Sequence, residues 1–165
     1  MTKRLEFHPQ DFTTDGVLRV GFILWAVMFF LNRHLLLLVF GAVTSLVGSR
    51  SGLDSSGLVI LYSSPWFLLT SIPSTAVLFS ALRRDRKAGR LVRKLWHHGR
   101  WLLALSAGLE LVLLTALVSL SQIELDELHL IGGILDSYVL LYLKRSVWAQ
   151  ARFADFPVPD RSSAS

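Results

Sequence analysis

An all-α integral membrane protein, a four-helix bundle, is the fold class that this sequence predicts, on three observations. The mean hydropathy is +0.50 and 52% of the 165 residues are hydrophobic, more apolar surface than a soluble core of that length hides. Four apolar runs approach the roughly 20 residues that a helix needs to cross the hydrocarbon of a bilayer. Basic residues collect beside alternate ends of these runs instead of spreading along the chain, which is the bias that orients membrane helices.

The expected spans cover about residues 18–47, 65–82, 101–120 and 128–143, within a transmembrane domain of residues 18–147. Residues 1–17 read as a cytoplasmic N-terminal segment and 148–165 as a cytoplasmic tail ending in a disordered "RSSAS". No cleavable signal peptide is expected. A polar stretch separates the charged start, Met1 to Arg4, from an apolar run much longer than a signal core.

The first run carries a polar interruption. In "FFLNRHLLLL", residues 29–38, Asn32, Arg33 and His34 stand between apolar stretches of twelve residues, Val20 to Leu31, and thirteen, Leu35 to Val47. Neither stretch crosses alone, so one long, tilted or bent helix is expected. At 1.5 Å per residue it measures roughly 42 Å and holds Arg33 near its midpoint. Ser64 caps the second span and Pro65, lacking an N–H, fits its first position. Pro73 predicts a kink, with the hydroxyls of Thr70, Ser71 and Ser74 satisfying the backbone groups that it releases. Residues 57–62, "GLVILY", are too few to span.

Orientation follows from counting Lys and Arg. Residues 83–100, "RRDRKAGRLVRKLWHHGR", hold eight, residues 1–19 three and residues 144–165 four, whereas residues 48–64 hold only Arg50 and "SQIELDE", residues 121–127, none. The positive-inside rule therefore places both termini and the basic loop between helices 2 and 3 in the cytoplasm, an N-in/C-in arrangement. Tyr62 and Trp66 then fall at the outer interface, and Trp96, Trp101 and Trp148 at the inner one.

Within the basic loop Leu91, Val92, Leu95 and Trp96 recur at helical spacing. A short amphipathic helix on the anionic leaflet is expected there, with Arg83, Arg84, Arg86, Lys87, Arg90, Arg93 and Lys94 meeting lipid headgroups and not nucleic acid. His97 and His98 are adjacent and point apart on a helix, so they do not grip one metal. The absence of cysteine removes disulfides, thiolate metal sites and a thiol nucleophile. No catalytic, cofactor-binding or metal-ligating residue is assigned, and no cofactor is expected.

Arg33 at mid-span calls for partners, because an isolated charge there costs between about 2.5 and 17 kcal/mol. Glu110 lies nine residues inside the third span from Trp101, and Asp136 eight residues from Lys144 at the inner end of the fourth. Counted along helices these depths are about 13.5 Å and 12 Å, so both acids approach one layer. Gly41, Thr44, Ser45 and Gly48 share the Arg33 stripe, Ser106 and Ala107 lie one turn from Glu110, and Gly132 and Gly133 one turn from Asp136. Such small residues mark faces where membrane helices approach closely. The expectation is an intramembrane polar cluster of Asn32, Arg33, His34, Glu110 and Asp136. It serves either as a knot that fixes helix pairing or as a proton-exchange or ion site, since two carboxylates face one guanidinium.

Several segments resemble the YfeZ-like family of small bacterial inner-membrane proteins. They are the opening "DFTTDGVLRV", an arginine within the first span, "YSSPWFLL" followed by "IPS", an arginine-rich loop leading into "GRWLL", and the ending "LDSYVLLYLKRSVWAQARFADFPVP". The ending is the most specific part, with Asp136, Tyr142, Leu143, Arg145, Arg152, Asp155, Phe156 and Pro157. The resemblance covers nearly the whole chain and implies four spans in a Gram-negative inner membrane, without implying an activity. The cysteine usual near the closing "DFP" of that family is replaced here, which argues against a thiol role.

The function expected is that of a non-enzymatic accessory, assembly or scaffold component of the bacterial inner (cytoplasmic) membrane. An oligomeric proton-coupled carrier or channel using Glu110 and Asp136 is the alternative, and a membrane enzyme built on His34, Glu110 and Asp136 comes third. The partners expected are the bilayer, its anionic headgroups, and a second copy or another membrane protein. In "RFADFPVPD" two phenylalanines and two prolines are placed to dock on the cytoplasmic end of the bundle or to bind a partner.

Overall fold

A computed structural model describes residues 18–48, 65–85, 88–123 and 127–157. Ser64, "GLVILY" and "RSSAS" lie outside the described residues. Regular structure among those described is helical: α1 (Phe22–Leu31), α2 (Arg33–Gly48), α3 (Pro65–Leu82), α4 (Arg90–His97), α5 (Gly99–Ser119), α6 (Glu127–Arg145) and α7 (Val147–Ala154). Among the described residues only α5 is by itself long and apolar enough to cross a membrane; α1 and residues 33–43 of α2 qualify as a pair. The helix of α3 is apolar but shorter. Four charged residues, Glu127, Asp136, Lys144 and Arg145, keep α6 out of that class.

The expected first span is two helices meeting at 66°. Asn32 leaves the helical path with φ −95° and ψ 9°, and its side-chain amide donates to Met28 O at 2.8 Å. An asparagine that bonds its own backbone competes with helix continuation. The break is then held from outside: Ser71 Oγ and Ser74 Oγ of α3 donate to Leu31 O at 3.2 and 3.3 Å, and Thr75 Oγ1 donates to Asn32 Oδ1 at 2.6 Å. Ser71 Oγ thus serves the carbonyl at this elbow, Ser74 Oγ is shared between that carbonyl and Ser71 O at 2.9 Å, and Thr70 Oγ1 donates to Phe67 O, while α3 runs through Pro73 as one helix.

At the centre, α5 packs chiefly on α3 and α6 and also touches α1, α4 and α7. Small residues permit that closeness, since Ser106 Oγ donates directly to Thr70 O and Ala107 is fully buried. Leu24, Met28, Val77, Leu103, Val139 and Leu143 fill the core around it. The outer faces are also apolar: Phe22, Phe40, Ile72, Trp101, Val112 and Tyr138 are all exposed.

One end of the bundle is closed by a clasp between Leu18, Arg84, Trp96 and the segment after α6. Trp96 of α4 is fully buried, 4.8 Å from the Phe153 ring, and its Nε1 donates to Arg152 O at 3.0 Å and Asp155 O at 3.1 Å. Leu18 N donates to Asp155 Oδ2 at 2.7 Å, while Arg84 donates to Leu18 O and Asp155 O at 2.7 and 2.6 Å. The tail after α6 is docked here, with Phe153 and Pro157 buried.

Candidate functional site

Arg33 opens α2, directly after the elbow. The elbow turns its guanidinium toward α5 and α6, where Nη2 bonds Glu110 Oε1 and lies 3.0 Å from Asp136 Oδ2. Its Nη1 donates to Phe30 O at 3.2 Å, and the Phe30 ring lies 4.0 Å from the guanidinium carbon. His34 Nε2 is 2.7 Å from the same Glu110 Oε1. Against a carboxylate that ring nitrogen donates, so one oxygen receives two donors from consecutive residues of α2.

Burial makes the arrangement consequential. Glu110 is 3% and Asp136 1% exposed, so little water screens them. Removing one partner from a buried ion pair costs about 3–5 kcal/mol, because the other charge is left uncompensated. His34 is further held by stacking on Phe67, with ring centroids 5.0 Å apart, and Phe67 lies 6.4 Å from His129. Beside these charges is a cavity of about 20 Å³, room for a single water molecule.

Of the residues expected to cluster, the structure brings Arg33, His34, Glu110 and Asp136 together. Asn32 is fully buried but belongs to the elbow, bonded to Thr75 and Met28. Sequence reasoning did not single out His129, Phe67 or Thr75; it expected the tail to dock, but not the contacts of Trp96, Arg84 and Leu18 that hold it. The spacing of His129, Gly132, Gly133 and Asp136 on one helical face was the available signal for the first. No comparable local signal exists for the others.

The arginines expected at headgroups divide. Arg90 and Lys94 are exposed, Arg83 lies 5.4 Å from the Phe79 ring, and Arg93 5.3 Å from that of Phe156. Arg84 instead turns inward into the clasp, 4.7 Å from the Trp96 ring. Burial lowers its pKa while Asp155 raises it, and a guanidinium stays charged under both influences. Arg86 and Lys87 lie outside the described residues. Among the described residues no group of three or more His, Asp or Glu is placed to hold a metal ion.

Fold and site together define an all-helical protein with a broken first helix pair and a buried Arg–His–Glu–Asp cluster. The chain belongs to the family described as "Protein of unknown function (DUF2919)", whose model matches residues 7–155. No curated protein and no solved structure gives a significant match.

Proposed function

We propose that the chain is a multi-pass protein of a bacterial inner membrane, and that it acts as a non-enzymatic accessory, assembly or scaffold component. The observation that carries this reading is the sharing of Arg33 between acids on two separate helices, beneath outer faces that are themselves apolar. Exposed apolar surface on that scale suits acyl chains. Charged residues at mid-depth are tolerated in a bilayer when they face inward and pair with one another.

In this reading α1–α2, α3, α5 and α6 are the four crossings. Residues 1–17, the basic loop and the tail from residue 148 lie in the cytoplasm, and Arg83, Arg90, Arg93 and Lys94 face anionic headgroups. The resemblance to YfeZ-like inner-membrane proteins supports the same location. Reporter fusions at both termini, at residue 87 and in the 121–127 turn test the topology, with cytoplasmic signal expected at all but the last. Crosslinking before extraction in mild detergent tests the scaffold role: a second copy or a membrane-protein partner should be recovered. A lone monomer would count strongly against it.

A second reading, an oligomeric proton-coupled carrier or channel through Glu110 and Asp136, is favoured by the water-sized cavity that both acids line. Proton flux in proteoliposomes should fall in Glu110→Gln or Asp136→Asn. Unchanged flux in both would remove it.

A further inference from the structure

The cavity lies on one side of the charged layer. Beyond the charges its walls come from Phe67, Leu114, Leu128, His129, Gly132 and Gly133, so it extends toward the C-terminal end of α5 and the N-terminal end of α6. On the other side Met28, Leu103, Val139 and Leu143 close the layer as packed core. His129, Gly132, Gly133 and Asp136 succeed one another along a single face of α6. Gly132 leaves that face open, since a Cβ added there would meet only Arg33 Nη2 within 4 Å, at 3.4 Å, whereas one at Gly133 would meet Leu114 and Leu111 of α5 at 3.4 and 3.6 Å.

One guanidinium faces two carboxylates, so Arg33 by itself compensates only one of them, and the His34 ring meets Glu110 Oε1 alone. Glu110 Oε2 and Asp136 Oδ1 are buried and have no hydrogen-bond partner among the described residues. A buried unpaired charge is costly enough that such a group takes up a proton instead, and a protonated carboxyl gains an O–H donor. A metal cation of the hard type needs six or more oxygen ligands, and no group of three His, Asp or Glu is placed for one among the described residues.

We infer that this cavity is a one-sided proton-access route, open from the α5–α6 end and closed at the clasp end, which delivers one exchangeable proton to the Glu110–Asp136 pair. A hydronium in the cavity gives up one O–H bond, an O–H bond forms on Glu110 Oε2 or Asp136 Oδ1, and water is left; no electrons change hands. The titratable groups facing the pair are Arg33 and His34 of α2 and His129 of α6, while α3 contributes Phe67. The inference rests on the membrane-spanning reading, in which the α5–α6 end faces outward. A closed inner side makes the site within one copy a sensor of outer pH.

Infrared difference spectroscopy on the full chain in lipid nanodiscs, stepped from mildly alkaline to mildly acid pH, tests this. Wild type should gain one protonated-carboxyl band that shifts promptly in D₂O, and Asp136→Asn and Glu110→Gln should each lose or displace it. Gly132→Val, which fills the open face without removing a titrating group, should keep the band but slow its deuterium shift. Should either acid variant fail to fold, wild type and Gly132→Val still decide. No band in wild type, an equally fast shift in Gly132→Val, or a band erased by sodium or potassium at constant pH would each overturn the inference. Correct topology without the band removes the proton route alone, whereas failed insertion in the fusion assay removes the membrane reading.

Discussion

Glu110 Oε1 receives both Arg33 and His34, the first two residues of α2, with His34 Nε2 at 2.7 Å. A single carboxylate on the central helix therefore anchors the start of α2 just beyond the elbow. Asp136 reaches the same Arg33 Nη2 from α6 at 3.0 Å, so one guanidinium ties three segments of the bundle.

Neutralising one member should unfold the bundle more readily than neutralising a balanced pair. Arg33→Met is expected to cost about 3–5 kcal/mol, the penalty for leaving buried charge unpaired. Adding Asp136→Leu to Arg33→Met should recover part of that loss, since the energies of contacting residues are not additive. Thermal unfolding in one detergent, compared across the two singles and the double, checks this. A double variant as unstable as the sum of the singles would contradict it.

At the elbow, Ser71→Ala alone should be mild, because the Ser74 hydroxyl, shared between Ser71 O and Leu31 O, can turn fully to Leu31 O. The double Ser71→Ala, Ser74→Ala strips both donors and should cost about 1–3 kcal/mol, the penalty for a buried carbonyl left unsatisfied. Circular dichroism melts of the three proteins measure the difference.

Trp96→Phe keeps a ring beside Phe153 but deletes the N–H that holds Arg152 O and Asp155 O. The tail should loosen while the rest of the bundle persists. Limited proteolysis should then cut after α6 faster than in wild type, with no change for a surface control such as Lys94→Gln.

Gly99 is pressed against the tail: a Cβ there would lie 2.9 Å from Phe153 Cδ1 and 3.2 Å from Val77 Cγ1. Gly99→Ala should therefore destabilise by about 1–3 kcal/mol, the usual cost of overpacking. Phe153→Leu in the same chain should relieve it, as a gain in melting temperature over Gly99→Ala alone.

Much of the helical layout is legible along the chain. The apolar runs, Pro65 at a helix start and the basic loop locate α3, α5 and α6 within a few residues of their observed bounds, because length and polarity act locally. That Arg33, Glu110 and Asp136 come together is legible too, as similar distances along their helices counted at a fixed rise per residue. The small residues Ser106, Ala107, Gly132 and Gly133 mark the faces on which they meet.

The amino-acid order by itself determined helical content, the separation of basic from acidic segments and the position of each charge along its helix, since all three are properties of a residue and its near neighbours. Tertiary structure decided the 66° elbow at Asn32 and the inward turn of Arg84. Neither "LNRHL" nor "LRRD" contains a proline or glycine to signal such a change. Each depends on hydroxyls or carbonyls more than thirty residues away in the chain, Ser71, Ser74 and Thr75 for one, Leu18 and Asp155 for the other. A local preference too weak to break a helix or bury a guanidinium becomes decisive once distant partners satisfy the groups it exposes.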